Sequence, residues 1–234
     1  MPQDRSLLSQ LRESLTPKKV RRYFPNPADP KDPDGNTARL GELIDSALWW
    51  LGRADPIELE DSTLMIPANG RLYLGSESTS KIRKVTSIEQ GDEVFEEARM
   101  DHSQGLGVFC GSWKVHRRYL YVLGLYSGHL PFVRSRGQVV VERALQAGPF
   151  VLRYYGIPEE NDVIGVGTYR RAVIDYAMYL AINEILTKEL RGKTIVDTEG
   201  IPEIRFNEKE LRAEAQARLE AAHGVVGRSY VASL

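Results

Sequence analysis

The only cysteine of the chain, Cys110, lies six residues before a histidine, His116, in the segment VFCGSWKVH. Cysteine-dependent enzymes use this pair of groups, because the imidazole takes the proton that turns the thiol into a nucleophilic thiolate. Such a site also needs a third group that orients the imidazole. A small cysteine-dependent enzyme that uses Cys110 and His116 is therefore one hypothesis for the function.

The sequence around Cys110 argues against this hypothesis. Papain-type proteases carry the pattern Cys-Gly-Ser-Cys-Trp, with the second cysteine as the nucleophile, whereas here Ser112 is followed directly by Trp113. The segment alternates as a strand does, and a free cysteine in a strand packs as a small apolar side chain. We therefore expect Cys110 to be a core residue, and we expect no catalytic residue in the chain.

Two further patterns are candidates for binding sites. The histidines have no metal-ligand spacing and are scattered at His102, His116, His129 and His223. The turn Gly165–Thr168 precedes a helix and could bind phosphate, but the third glycine of a dinucleotide fingerprint and the Gly-Lys-Ser/Thr of a P-loop are both absent. We expect no metal and no cofactor.

Charge and composition narrow the class of protein. The 234 residues include 31 basic and 32 acidic side chains, for a net charge of -1. A protein that grips the nucleic-acid backbone carries a basic excess, so we expect DNA to be no more than a transient, non-specific partner. One cysteine excludes an internal disulfide. No apolar run reaches the roughly 18 residues of a membrane span, and the charged N-terminus lacks a secretory signal. We expect a soluble protein made in the cytoplasm, with no membrane partner.

Helical spacing marks three segments. Leu40 to Leu51 form an apolar stripe that ends at Gly52, and the segment 169–190 is apolar around more than half its circumference and ends at Gly192. A third, alanine-rich helix is predicted from Asn207 to Gly224, with Glu210 completing a capping box. The stripes predict a helical domain made of residues 38–63 and 158–223.

Between these helices, the spacing changes to that of strands. Residues 64–157 contain short segments rich in β-branched and aromatic residues, separated by glycine and proline. In the segment 113–123, the alternate residues from Trp113 to Leu123 are predicted to share one face of a strand. The segment 92–100 is ambiguous and could contain a helical turn. The prediction is an α+β fold: a small helical bundle with an inserted antiparallel β-meander or barrel subdomain.

Both ends of the chain are predicted to be extended arms. An amphipathic helix over 4–22 precedes prolines at 25, 27, 30 and 33, which predict an extended linker and a separable arm over 1–37. The tail 224–234 is β-prone and could add a strand to another sheet, or be a frayed end.

The adjacent residues Trp49 and Trp50 cannot both face one core. One of them could contact another subunit, or a second apolar neighbour within the chain. The candidate partner-binding residues are Val225, Val226, Arg228, Ser229, Tyr230, Val231, Leu234, Trp49 and Trp50.

The order of these elements resembles the head-to-tail connector (adaptor or neck) proteins of tailed bacteriophages. The resemblance covers residues 38–225 and is carried by WKVHRRYLYVLG, GPFVLRYYGIPEEND, YRRAVIDYAMYLAINEIL and RFNEKELRAEAQARLEAA. It implies a virion structural protein at the head-tail junction that forms a ring, commonly a dodecamer, below the portal. In such proteins the lumen passes DNA, the lower face receives tail proteins, and the C-terminal tail reaches into the portal.

The physical pattern is in accord with this resemblance. A near-neutral chain suits a conduit that must not hold its DNA. Apolar and aromatic surface at Trp49, Trp50, Tyr176 and Tyr179 suits head-to-tail contacts that close into a ring. Another tail or baseplate subunit would show the same composition and remains an alternative.

Overall fold

A computed structural model describes residues 6–29, 31–32, 34–76, 79–101, 108–126, 139–140, 144–196 and 208–232. The chain divides into two compact units: a helical unit, Met1–Asp55 with Pro158–Leu234, and a β unit, Pro56–Ile157. Within the described residues, the helical unit contains six helices and the β unit twelve short strands. The protein is therefore of the mixed helix-and-sheet class that the sequence predicted.

The helices of the helical unit are α1 (Leu7–Leu15), α2 (Pro17–Tyr23), α3 (Thr37–Ala54), α4 (Glu160–Ile164), α5 (Gly167–Val196) and α6 (Glu208–Ala232). The predicted stripe of α3 is confirmed, since all of its apolar members from Leu40 to Leu51 are buried. The apolar residues predicted for α5, from Val173 to Leu186, are buried as well. The two helices pack on each other, and Arg39 of α3 donates two hydrogen bonds to Glu184 of α5.

The prediction of a separable N-terminal arm is wrong. The side chains of Leu7, Leu11 and Leu15 are completely buried, and α1 packs against α3 and α5. The Leu7 amide donates a hydrogen bond of 2.6 Å to the Glu160 carboxylate of α4. The leucine spacing predicted the helix correctly, but its apolar face is covered by the same chain.

The prediction of an extended proline-rich linker is also wrong. The amide of Asn36 donates a hydrogen bond of 2.8 Å to the carbonyl of Phe24, so the segment between them closes into a loop. Gly35 has a φ of 64°, and a Cβ there would lie 2.5 Å from Val20 and 2.6 Å from the Phe24 carbonyl oxygen. The prolines therefore prevent this segment from forming a helix but do not make it extended. Gly35 permits the tight turn that brings the chain back to Phe24, because glycine adopts a positive φ without steric cost. Pro30 and Pro33 lie outside the described residues.

The predicted C-terminal ends of two helices are wrong. Helix α5 continues past Gly192 to Val196, and α6 continues past Gly224 to Ala232. Most of the supposed β-prone tail, residues 224–232, is thus helical backbone and is not an extended arm or an added strand. Val226 is 7% exposed. The burial of this side chain stabilises the helix, although the residues of this segment have a stronger intrinsic preference for strand. Asn207, Ser233 and Leu234 lie outside the described residues.

The strands of the β unit form four sheets. They are β1 (Ile57–Asp61), β2 (Met65–Ile66), β3 (Arg71–Tyr73), β4 (Ile82–Gln90), β5 (Glu93–Phe95), β6 (Arg99–Asp101), β7 (Val108–Cys110), β8 (Trp113–His116), β9 (Tyr119–Val122), β10 (Val139–Val140), β11 (Gly148–Pro149) and β12 (Val151–Gly156). The sheet orders are β1-β12-β4-β5, β10-β7-β6, β11-β2 and β3-β9-β8. All pairs are antiparallel except β10 with β7. The segment 92–100 thus forms β5 and part of β6, and no helical turn.

The meander that the sequence predicted is not formed. The first strand, β1, pairs with the last, β12, in a register that sets Ile57 opposite Gly156. This pairing places the two ends of the β unit side by side, at the point where the chain enters and leaves the unit. Strand β1 therefore belongs to the β unit, although the sequence placed residues 38–63 in the helical domain. No sheet closes into a barrel within the described strands.

The single strand predicted over 113–123 is a hairpin. Strands β8 and β9 pair with His116 opposite Tyr119, so Arg117 and Arg118 form a two-residue turn. Arg117 has a φ of 56°, a conformation that costs a residue with a Cβ about 1–2 kcal/mol. The core of the unit surrounds Trp113, whose indole donates a hydrogen bond of 2.8 Å to the Phe95 carbonyl.

Candidate protein interface

The two adjacent tryptophans near the end of α3 have different environments. Trp49 is 46% exposed, which makes it one of the most exposed large apolar side chains among the described residues. The guanidinium of Arg53, one helical turn later, lies 4.6 Å from the centre of the Trp49 ring. This cation-π contact holds the indole on the surface without burying it.

Trp50 packs within the helical unit. Its indole stacks on the Tyr176 ring of α5, with centroids 4.3 Å apart and planes 7° from parallel. The ring of His223 from α6 meets the indole edge-on, at 5.3 Å and 90°. Tyr176 in turn lies 5.6 Å from the ring of Tyr179. Three helices thus contribute to one aromatic cluster. Trp50 contacts neighbours within the chain, which is one of the two alternatives that the sequence left open.

An open groove of about 980 Å³ runs beside this cluster. It is lined by Leu43, Asp45, Ser46, Trp49, Trp50, Arg53, Ala54, Tyr176 and Leu180. Its apolar surface comes from the exposed indole and from the partly buried Tyr176 and Leu180, and its charged groups are one acid and one base. Burial and then the nearby Tyr179 raise the pKa of Tyr176 above its ordinary value. We name this surface, defined by these residues, the aromatic groove.

An ion pair that involves a buried carboxylate connects α5 to α6. The Asp175 side chain is only 5% exposed and contacts the Arg218 guanidinium at 2.7 Å. Arg171, which is largely exposed, approaches the same carboxylate at 3.8 Å. Because the Asp175 carboxylate is buried, it requires a well-placed cation, and Arg218 provides one that joins α6 to α5.

The candidate partner-binding residues near the C-terminus have other surroundings than the two tryptophans. Val226 is buried, so its side chain packs within the helical unit and is not presented to a partner. Val225 is partly exposed and lines a different groove with Gly167, Thr168 and Arg171. The backbone of Arg228, Ser229, Tyr230 and Val231 is helical.

The residues of the enzyme hypothesis belong to different sheets. Cys110 is in β7, which pairs with β6 and β10, whereas His116 is in β8, which pairs with β9. Gly165 follows the short helix α4, and Gly167 is the first residue of α5. Among the described side chains, no group of three histidine, cysteine or acidic residues is placed to hold a metal ion. In the part of the chain that the structure describes, no helix is long and apolar enough to cross a membrane.

Arg53 of the aromatic groove and His223 of the aromatic cluster were not identified from the sequence. Arg53 follows Trp49 at the i, i+4 spacing of residues that share a helix face, so a local signal for the cation-π contact existed. His223 offered no such signal, because its neighbour Trp50 is far away in the sequence and only the packing of α6 brings the two rings together.

Comparison of the chain with models of known protein families, with curated proteins and with solved structures finds no match.

Proposed function

We propose that the protein is a structural subunit of a tailed-bacteriophage virion. In this proposal it is a head-to-tail adaptor or neck protein that forms a ring, commonly dodecameric, below the portal. The ring links the capsid to the tail proteins and passes DNA through its lumen. In this proposal the protein is not an enzyme. It is made in the host cytoplasm and acts at the neck of the virion.

The observation that supports this proposal best is the aromatic groove on α3 and α5. Tryptophan, tyrosine and arginine dominate the binding energy of protein interfaces, and Trp49, Trp50, Tyr176 and Arg53 all line this one surface. Trp49 in particular is held by Arg53 in an exposed position. An exposed indole beside an open groove is a suitable anchor for a second subunit. The near-neutral net charge suits a lumen that must release its DNA.

The test of the ring compares Trp49→Ala with the wild-type full-length chain. We expect wild-type protein to form rings, alone or with portal protein, in mass photometry and negative-stain electron microscopy. We expect Trp49→Ala to weaken assembly at least about tenfold, because it removes an interface anchor. The matched control is Val166→Ala, which shortens another exposed apolar side chain of the helical unit.

Two outcomes would overturn the adaptor proposal. One is a wild-type chain that stays monomeric at every concentration, with and without portal protein. The other is a wild-type chain that has an assayable activity which Cys110→Ala abolishes, since that result supports the enzyme hypothesis instead. Rings that bind a tail or baseplate protein but no portal would place the subunit elsewhere in the virion.

In this proposal the portal contact is made by Arg228, Ser229, Tyr230 and Val231 of α6, together with Leu234, which lies outside the described residues. A chain truncated after Val226 keeps the buried valine and removes residues 227–234. We expect this variant to retain the thermal unfolding of the wild type and to lose co-purification with portal protein. Unchanged co-purification would contradict this role of the C-terminus and leave the ring proposal intact.

A further inference from the structure

A pocket in the β unit is lined by an excess of positively charged side chains. Its volume is about 380 Å³, and the cations that line it are Arg83, Lys84, Arg117 and Arg118. The acid among the described lining residues is Glu97, whose carboxylate contacts Lys114 at 2.8 Å and is thereby neutralised. The four cations are exposed, and none of them pairs with a carboxylate that the structure describes. We name these four residues, with the space between them, the basic pocket.

The turn that carries two of these cations is held in place by the backbone. Arg117 and Arg118 connect β8 to β9, and the Leu74 amide donates a hydrogen bond of 2.7 Å to the Arg118 carbonyl. Arg117 has a φ of 56°, and glycine is the residue favoured for a positive φ at the first position of such a turn. Residues kept in an unfavourable backbone conformation are concentrated at binding and active sites. The arginine at this position therefore supports a binding role for the pocket.

The number of cations and the size of the pocket indicate the class of ligand. A single carboxylate would neutralise only one of the four charges. A phosphate group carries a charge of about −1.5 to −2 at neutral pH, so two linked phosphate groups approach the charge of all four cations. Arginine also binds phosphate oxygens through paired N–H donors. A volume of about 380 Å³ lies within the range of small-molecule sites, which is about 300–1,000 Å³.

Apolar side chains form the inner side of the pocket. Ile82, Val85 and Val115 line it together with the cations, and the buried Val85 belongs to the core of the β unit. Attraction between opposite charges is stronger beside an apolar core than in open water, because the effective dielectric constant is lower there. A bound polyanion would also relieve the repulsion among four like charges that lack counter-charges on the chain.

We propose that the basic pocket binds a small anion that carries two or more linked phosphate groups, of the pyrophosphate class. The site lies within the β unit and does not depend on the proposed ring. The backbone of duplex DNA is a less suitable occupant, because DNA requires a row of cations that follows its phosphates. Here the cations line one small concavity.

The test measures the binding of pyrophosphate to the full-length protein by isothermal titration calorimetry. We expect the affinity of the wild type to increase in the order acetate, phosphate and pyrophosphate, because the charge of the anion increases in that order. Arg117→Ala with Arg118→Ala should bind pyrophosphate at least about tenfold more weakly, since two of the four cations are removed. Pyrophosphate should also raise the unfolding temperature of the wild type, because it binds only the folded protein.

A second double variant, Arg83→Ala with Lys84→Ala, tests the other side of the pocket on β4. We expect it to weaken pyrophosphate binding to a similar extent, and it leaves the hairpin turn unchanged. Because the two double variants alter different segments, one of them still tests the pocket if the other does not fold. Thermal unfolding without pyrophosphate shows which variants keep the fold.

The matched control is Lys18→Ala with Arg21→Ala on α2. It removes two exposed cations from another basic segment of the chain, and we expect it to bind pyrophosphate as the wild type does. The conservative variant Arg117→Lys with Arg118→Lys keeps the charge of the pocket but loses the paired N–H donors, so we expect an intermediate affinity.

The possible results distinguish the pocket from the ring. If the wild type does not bind pyrophosphate, or if the pocket variants bind it as the control does, this inference is wrong and the ring proposal is unaffected. If acetate binds as tightly as pyrophosphate, the phosphate class is wrong. If the pocket variants lose binding of a short DNA duplex that pyrophosphate does not displace, the pocket is a nucleic-acid site and the inference is overturned. A wild-type chain that binds pyrophosphate in this pocket and never assembles supports the pocket and contradicts the ring.

Discussion

The indole of Trp50 and the phenol ring of Tyr176 are stacked 4.3 Å apart and nearly parallel, whereas the neighbouring Trp49 is 46% exposed. Consecutive residues on a helix point about 100° apart, so one tryptophan faces α5 while the other faces solvent. The pair therefore divides between two tasks: one residue stabilises the helical unit, and the other is available to a partner.

Alanine substitution should separate these two tasks. We expect Trp50→Ala to lower the free energy of unfolding by about 2 kcal/mol, because it removes stacking and leaves a gap between α3 and α5. Trp49→Ala should cost less than about 1 kcal/mol, since only an exposed cation-π contact is lost. Urea unfolding of the two variants measures both values. Equal losses would show that the two indoles are not divided in this way.

Helix α1 is expected to be essential to the helical unit. Leu11→Ala should lower the free energy of unfolding by about 3 kcal/mol, because it opens a cavity at a completely buried position. The control is Ser9→Ala on the same helix, a polar position that is not in the core. If α1 were a separable arm, Leu11→Ala would unfold at the same urea concentration as the wild type.

The pair formed by Asp175 and Arg218 should be strongly coupled. Arg218→Ala leaves a buried carboxylate without its 2.7 Å partner, so we expect a loss of about 2 kcal/mol. Arg171→Ala should cost less than about 0.5 kcal/mol, because that side chain is 79% exposed. Combining Arg218→Ala with Asp175→Ala in a double-mutant cycle isolates the pair. Additive losses would contradict the coupling.

Tyr23 should make stability depend on alkaline pH. Burial, followed by the hydrogen bond to Glu189, raises its pKa to about 12 from the ordinary 10.0. The folded state thus holds this proton more tightly than the unfolded state, and the resulting stability is fully present below about pH 10 and disappears as the pH rises to about 12.

Tyr23→Phe tests this dependence. The variant should lose about 1 kcal/mol at neutral pH, where the hydrogen bond to Glu189 is lost. The difference from wild type should shrink between pH 10 and 12. Tyr155→Phe in the β unit serves as the control. A constant difference across this pH range would mean that Tyr23 does not titrate as described.

The turn at Arg117 should become more stable when glycine replaces arginine. Arg117→Gly relieves a φ of 56°, and after the greater freedom of glycine in the unfolded chain is subtracted we expect a gain of about 0.5 kcal/mol. Thermal unfolding of the variant and the wild type measures this gain.

The comparison for this variant is Gly91→Ala. Gly91 has a φ of 64° with open space around it, so alanine there should cost about 1 kcal/mol through backbone conformation alone. An Arg117→Gly protein that unfolds at a lower temperature than the wild type would contradict the cost assigned to this backbone conformation.

The apolar stripes of α3 and α5 could be predicted from the sequence because one helix face repeats every three or four residues. The pairing of β1 with β12 could not, since nothing near Ile57 indicates that its partner is Gly156. The turn at Arg117 was missed because it contains no glycine, asparagine or aspartate, the residues that normally mark such turns. Local sequence patterns thus predicted the helices, whereas the sheets depend on pairing between residues that are far apart in the sequence.

The aromatic groove was predicted in part. The adjacent tryptophans indicated that one of them would contact either another subunit or a second apolar neighbour within the chain, and the structure shows Trp49 exposed and Trp50 packed on Tyr176. The contact of Trp50 with His223 depends on where α6 packs, which no local pattern encodes. The continuation of α6 through Gly224 was missed for a similar reason, because the burial of Val226 outweighs the weak helix preference of glycine and valine.

Because Ile57 and Gly156 face each other across β1 and β12, the β unit starts and finishes at neighbouring points, about 5 Å apart at their Cα atoms. A module with adjacent termini can be excised or exchanged with little effect on the chain that carries it. A few glycines joining Asp55 to Pro158 would replace the whole insertion, and the excised piece could be circularly permuted.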